Sequence, residues 1–124
     1  MDGQNLQPKP SSIEKNVFLI VNRQMIPIEK EVTRLGRQLE NDVVLHEEFV
    51  SRFHAEIRFE EGKYVLYDND STGGTFVNGK KVGRCALNSG DLISITSVQI
   101  MFVNNNAGLV DKSRGMTQSL RKSS

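Results

Sequence analysis

The segment from Glu48 to Phe59, EFVSRFHAEIRF, opens an alternating run with Ser51, Arg52 and His54 inside four positions. A hydroxyl, a guanidinium and an imidazole this close serve either to cap a turn or to gather donors for an anion. Two other stretches carry similar chemistry. LGRQLEND at 35–42 sets Arg37 behind Gly36, where a glycine lets the backbone bend and present a guanidinium from a strand end. DNDSTGGTFVNG at 68–79 offers the Ser71 and Thr72 hydroxyls, and Gly73 and Gly74 let backbone N–H groups approach a ligand. Guanidinium, hydroxyl and exposed amide are the donors a phosphate prefers. Ser51 and His54 could also be read as a nucleophile and its base. Residues three apart do not share a face of a regular strand, however, and the chain has no GxSxG elbow.

Taken singly, each residue has an ordinary explanation. Arg37 reads as a solvated charge, Ser51 as a turn cap and His54 as a satisfied structural histidine. Cys85 and Met101 read as core, and Gly73 and Gly74 as turn glycines. What these groups do depends on the elements that bring them together.

Between residues 16 and 103 the apolar period is two rather than 3.6. NVFLIVN, QMIPIEK, VTRLGR and DVVL give short strands, with Pro27 marking an edge strand or a bend. FHAEIRFEEGKYVLYD predicts a hairpin turning at Glu61-Gly62, and TFVNGKKVG another at Asn78-Gly79. DLISITSVQIMFV closes the set with two strands split near Thr96-Ser97. Many short strands with frequent turns predict an all-β, two-sheet antiparallel sandwich.

Composition excludes several classes. The chain has 124 residues, 37% hydrophobic and 25% charged, which fits one soluble domain. Its 16 Lys and Arg against 15 Asp and Glu leave a net charge of +1, too little for a nucleic-acid-binding surface. No apolar run is long enough for a membrane span, and the first residues do not read as a secretory signal. A single cysteine, Cys85, rules out an internal disulfide and a cysteine zinc site, so a cytoplasmic setting is expected. Residues 1–15 read as a flexible N-terminal arm, and residues 104–124 as a flexible basic C-terminal tail.

The order LGR, ND before an apolar run, VSRFHAEI and STGGTFVNG resembles the forkhead-associated (FHA) domain over residues 16–103. The resemblance implies a sandwich of about eleven strands, FHA/SMAD-like, whose loops at one end bind phosphothreonine in a partner peptide. No catalysis, cofactor or metal is implied. By position, Arg37, Ser51 and Arg52 match residues that contact the phosphate, Thr72 matches a residue that lines the phosphate pocket, and Gly73 matches a residue that binds the peptide. Gly36, His54, Asn78 and Gly79 match residues that support the loops. Gly73 is a departure: the family commonly has Asn there, whose side chain holds the peptide backbone just after the phosphothreonine. Its loss is expected to weaken anchoring by about 1 kcal/mol.

Further expectations concern partners. Ligands would be phosphothreonine proteins or peptides made by an upstream Ser/Thr kinase. Phe49, two residues before Ser51, matches the position that selects the third residue after the phosphothreonine. Thr117 in SRGMTQSLRK is a candidate phosphosite for self-binding, with Leu120 three residues on. The competing expectations are a phosphate-independent interaction scaffold, or the regulatory N-terminal domain of a longer signalling protein.

Overall fold

Val17–Val21, Thr75–Val77 and Leu92–Ile95 alternate between core-facing and outward positions, as the period of two predicts, whereas Lys63–Asp68 buries Tyr64, Val65 and Leu66 in succession. The computed structural model describes residues 15–106. Thr117, and all but a few residues of the predicted arm and tail, lie outside the described residues. Eleven strands are present among the described residues: β1 (Val17–Val21), β2 (Gln24–Pro27), β3 (Val32–Gly36), β4 (Val43–Val44), β5 (Ala55–Glu60) and β6 (Lys63–Asp68), then β7 (Thr75–Val77), β8 (Lys80–Val82), β9 (Arg84–Ala86), β10 (Leu92–Ile95) and β11 (Val98–Asn104). They form a five-stranded sheet in the order β9-β6-β5-β3-β4 and a six-stranded sheet in the order β2-β1-β11-β10-β7-β8.

The turns explain the hairpins. Glu61 and Gly62 (φ 51° and 78°) and Asn78 and Gly79 (φ 51° and 87°) put two left-handed residues in a row, which matches the twist of the strands they join. Asn22 and Arg23 do the same between β1 and β2 without a glycine. Pro27 ends β2, an edge strand, where its missing N–H costs no ladder bond. One ladder departs from the antiparallel expectation. Short β4 pairs with β3 in parallel, Leu35 opposite Val43, because residues 37–42 fold back on the strand they have just left.

Leu19, Ile57, Leu66, Ile93, Ile100 and Phe102 meet between the sheets and are closed to solvent. Burying each such side chain contributes about 1.5–3 kcal/mol. The Tyr64 ring lies between Phe59 and Phe102, with centroids 4.7 and 5.6 Å away. Met101 does not belong to this core. In β11 the alternate residues Ile100 and Phe102 turn inward, so Met101 faces out at 39% exposure, level with Ile20 and Leu92 across the sheet and with Met25 beyond Ile20. Cys85, on edge strand β9, only half-buries against the core.

Topology gathers the chemistry. Strands β3 and β6 end where β5 and β7 begin, with Leu35 opposite Ala55 and Ala55 opposite Asp68. Three loops therefore share one end of the sandwich: the first at 37–42, the second at 45–54 and the third at 69–74. The Thr96-Ser97 turn joins them, its Ser97 hydroxyl donating to Glu47 at 2.9 Å.

Candidate functional site: three loops at one end of the sandwich

The first and second loops lie against each other backbone to backbone. Arg37 N–H donates to Ser51 O at 3.1 Å and Gln38 N–H to Arg52 O at 3.2 Å. This approach gives Gly36 its reason. A Cβ there would fall 2.2 Å from Arg52 O and 2.8 Å from Asn41 Nδ2, so no side chain fits. The glycine is required by proximity, not by the bend expected from sequence. Buried Asn41 sews the same seam, its Nδ2 donating to Gln38 O at 2.8 Å and to Arg52 O at 2.7 Å. Arg37 Nε donates to Val50 O at 2.9 Å, which anchors the stem and leaves the other guanidinium nitrogens available. Arg52 is exposed, and its side chain has no ion-pair or hydrogen-bond partner among the described residues.

His54 joins the second loop to the third. It is completely closed to solvent. Its Nδ1 accepts the Ser51 N–H at 3.0 Å, so the ring proton sits on Nε2 and is donated to Gly74 O at 2.8 Å. The imidazole bonds the Ser51 amide and not the hydroxyl, which is not how a base activates a nucleophile. The Ser51 Oγ instead accepts Thr72 N–H at 3.1 Å, and its own proton has no acceptor among the described residues.

Asp68 organises the third loop. Its Oδ1 accepts the hydroxyls of Ser71 at 2.5 Å and Thr75 at 2.7 Å, and its Oδ2 the Ser71 N–H at 3.1 Å. Burial pushes the carboxyl up, but these hydrogen bonds outweigh it and hold Asp68 below the ordinary carboxylate value. Ser71 Oγ in turn accepts Gly74 N–H at 3.0 Å, and Gly74 takes the left-handed φ of 84°. Gly73 needs no such freedom: its backbone is ordinary, and a Cβ would meet only Thr96 Cγ2 at 3.4 Å.

The structure thus brings Arg37, Ser51, Arg52, Thr72 and Gly73 to one end, with Gly36 and His54 beneath them. Phe49 stands on the second loop at 72% exposure. Asn78 and Gly79 lie elsewhere, at the far end of β7. There Asn78 bonds Asp91 at 2.9 Å and the Leu92 N–H at 3.0 Å, so they steady the start of β10 and reach the third loop only through β7. Asn41 and Asp68 carry structural weight that sequence reasoning did not assign. The only signal available was their place inside the quoted ND and DNDSTGG stretches.

Exposed guanidinium groups, a serine hydroxyl and a loop of backbone amides are the donors an anionic group takes. Fold and site together define a β-sandwich module that presents its ligand loops at one end. A family model described as the FHA domain matches residues 33–96. The oxoglutarate dehydrogenase inhibitor of Corynebacterium jeikeium is 34% identical over 96 residues, covering 73% of this chain and 67% of that protein. The ABC transporter ATP-binding/permease protein Rv1747 of Mycobacterium tuberculosis is 38% identical over 71 residues, 57% of this chain. A solved structure from a structural and functional analysis of phosphothreonine-dependent FHA domain interactions superposes with a TM-score of 0.68 and 28% identity. It covers 72% of this chain and 96% of that one. This chain belongs to the FHA domain family. It spans 8% of the transporter's length and about half, 48% and 54%, of two other curated relatives. Among the described residues no helix is long and apolar enough to cross a membrane, and no group of three or more His, Cys, Asp or Glu could hold a metal ion.

Proposed function

We propose that this chain is a phosphothreonine-dependent peptide-binding module, working in the cytoplasm as a signalling adaptor and not as an enzyme, with residues 16–103 as its binding domain. The observation that carries the reading is the convergence of Arg37, Ser51, Arg52 and Thr72 on one end, held by His54 and Asn41. In this reading the arginines and the Ser51 hydroxyl take the phosphate, Thr72 lines the phosphate pocket, and Gly73 lies on the peptide path. Exposed Phe49 offers an apolar contact to a residue beyond the phosphothreonine.

Magnitudes favour a phosphate switch. A phosphothreonine brings about −1.5 to −2 of charge and strong acceptor oxygens. Each charge-assisted hydrogen bond contributes roughly 1.5–3 kcal/mol, so the phosphate decides between bound and free. Micromolar affinity, about −8 kcal/mol, suffices for a reversible contact.

Titration calorimetry with one threonine peptide, phosphorylated and not, tests the reading. Wild type is expected to bind only the phosphorylated form, and Arg37→Ala to weaken that binding by roughly 2–4 kcal/mol with the fold intact. Equal binding of both peptide forms would establish the phosphate-independent scaffold instead. An unchanged dissociation constant in Arg37→Ala would remove Arg37 from the site.

A further inference from the structure

Strand β8 brings to the third loop a cation to which the signature stretches give no role. Lys81 pairs with Phe76 across the β7–β8 ladder, so both side chains leave on one face. The lysine stem then runs alongside Gly74: a Cβ on Gly74 would lie 3.0 Å from Lys81 Cε and 3.6 Å from Cδ. The bare glycine is what gives the stem its track. The ammonium, one bond beyond Cε, therefore stands at the shoulder of the Thr72–Gly74 turn.

Nothing among the described residues engages that ammonium. Lys81 is exposed and has no carboxylate or hydrogen-bond partner among the described residues. Lys30 shows the contrast, pairing with Asp42 at 2.6 Å. Gly73, the next residue of the turn, puts no side chain in the way. A cation guided by packing along its stem, yet left unpaired beside a binding loop, is set for a charge that arrives from outside. Gly74 lies two residues from Thr72, whose N–H already bonds the Ser51 hydroxyl. Extended peptide advances about 3.3 Å per residue. Lys81 is thus placed for a residue near the phosphothreonine and not for the phosphate itself.

Building on the phosphothreonine reading, we infer that Lys81 is a specificity-determining residue that selects ligands with an acidic side chain within two positions of the phosphothreonine. The probes are phosphothreonine peptides that differ only by Asp or Asn at one of the two positions on either side, each with an unphosphorylated control. Wild type is expected to bind one Asp peptide several-fold more tightly than its Asn twin, with the difference shrinking as salt is added. Lys81→Met keeps the stem over Gly74 but lacks the charge, and is expected to bind the twins equally. Lys81→Glu, a second variant at the same exposed site, is expected to reverse the preference and bind the Asn peptide more tightly than its Asp twin. The inference is overturned if wild type shows no Asp preference at any position, or if Lys81→Met retains it. Either result, with phosphate-dependent binding intact, leaves the phosphothreonine reading standing. Loss of phosphate dependence in the controls overturns both.

Discussion

At the scale of single residues, the proposed function divides the site into groups that would face the ligand and groups that hold them. His54 is of the second kind: it links the Ser51 amide to the Gly74 carbonyl and is wholly buried. Arg52 is of the first kind, exposed and unpaired among the described residues. Their alanine variants should therefore separate. His54→Ala removes two hydrogen bonds and leaves a void, so it is expected to cost roughly 2–4 kcal/mol of stability and to weaken binding as the loops part. Arg52→Ala is expected to weaken phosphopeptide binding with little change in melting temperature. Thermal melts paired with calorimetry read both, and a His54→Ala protein that melts like wild type would remove the bracing role. The histidine was legible in sequence only as satisfied and structural. Its partners, three residues before it and twenty after, are set by the fold and not by spacing.

At the scale of elements, strand period and two-residue turns made most of the sandwich readable, because both are local properties. The inward face of β11 was not. Val98, Ile100 and Phe102 alternate with Gln99, Met101 and Val103, so both faces carry apolar residues and only packing against the other sheet chooses. The two glycines of the third loop look alike in sequence for a similar reason, since two adjacent letters G hide different constraints. Gly74 is left-handed and flanked by Lys81, whereas Gly73 has ordinary backbone and open space down to Thr96. Gly73→Asn is accordingly expected to leave the melting temperature unchanged. It should also strengthen phosphopeptide binding by about 1 kcal/mol, the net worth of one restored hydrogen bond. Gly74→Ala should destabilise the fold, because a Cβ in the left-handed region costs about 1–2 kcal/mol. Equal melting of the two variants would contradict this assignment. Tighter binding is the half of the expectation that tests the role of position 73.

For the whole molecule, two carboxyls that make stability depend on acid, Asp42 and Asp68, lie at the same end as the site. Surface pairs such as Arg58–Glu56 at 2.5 Å are half open to solvent on the arginine side, where water and salt screen them. Asp68 differs. Burial raises its carboxyl, yet the Ser71 and Thr75 hydroxyls and the Ser71 amide bring it below the ordinary value of 3.8. Asp42 is lowered in the same sense, with burial opposed by the Lys30 ammonium and the Arg34 amide. A carboxyl with a folded value below its unfolded one binds its proton less readily in the native state, so the ionised form favours folding. That contribution is complete above pH 3.8 and is lost as pH falls through the lower, folded value. Wild type should therefore lose melting temperature steeply on acidification below about pH 4. Asp68→Asn cannot ionise, and its amide would face the Ser71 N–H with a second donor. It is expected to melt lower than wild type at pH 7 and to lose less on going to pH 3. Because hydroxyls and an amide hold Asp68, its share of the acid effect should persist in high salt, while the share from Asp42 and Lys30 is screened. Melts of both proteins from pH 7 to 2.5, at low and high salt, read these differences directly. Parallel curves for wild type and Asp68→Asn would show that the third loop owes nothing to the charge on Asp68.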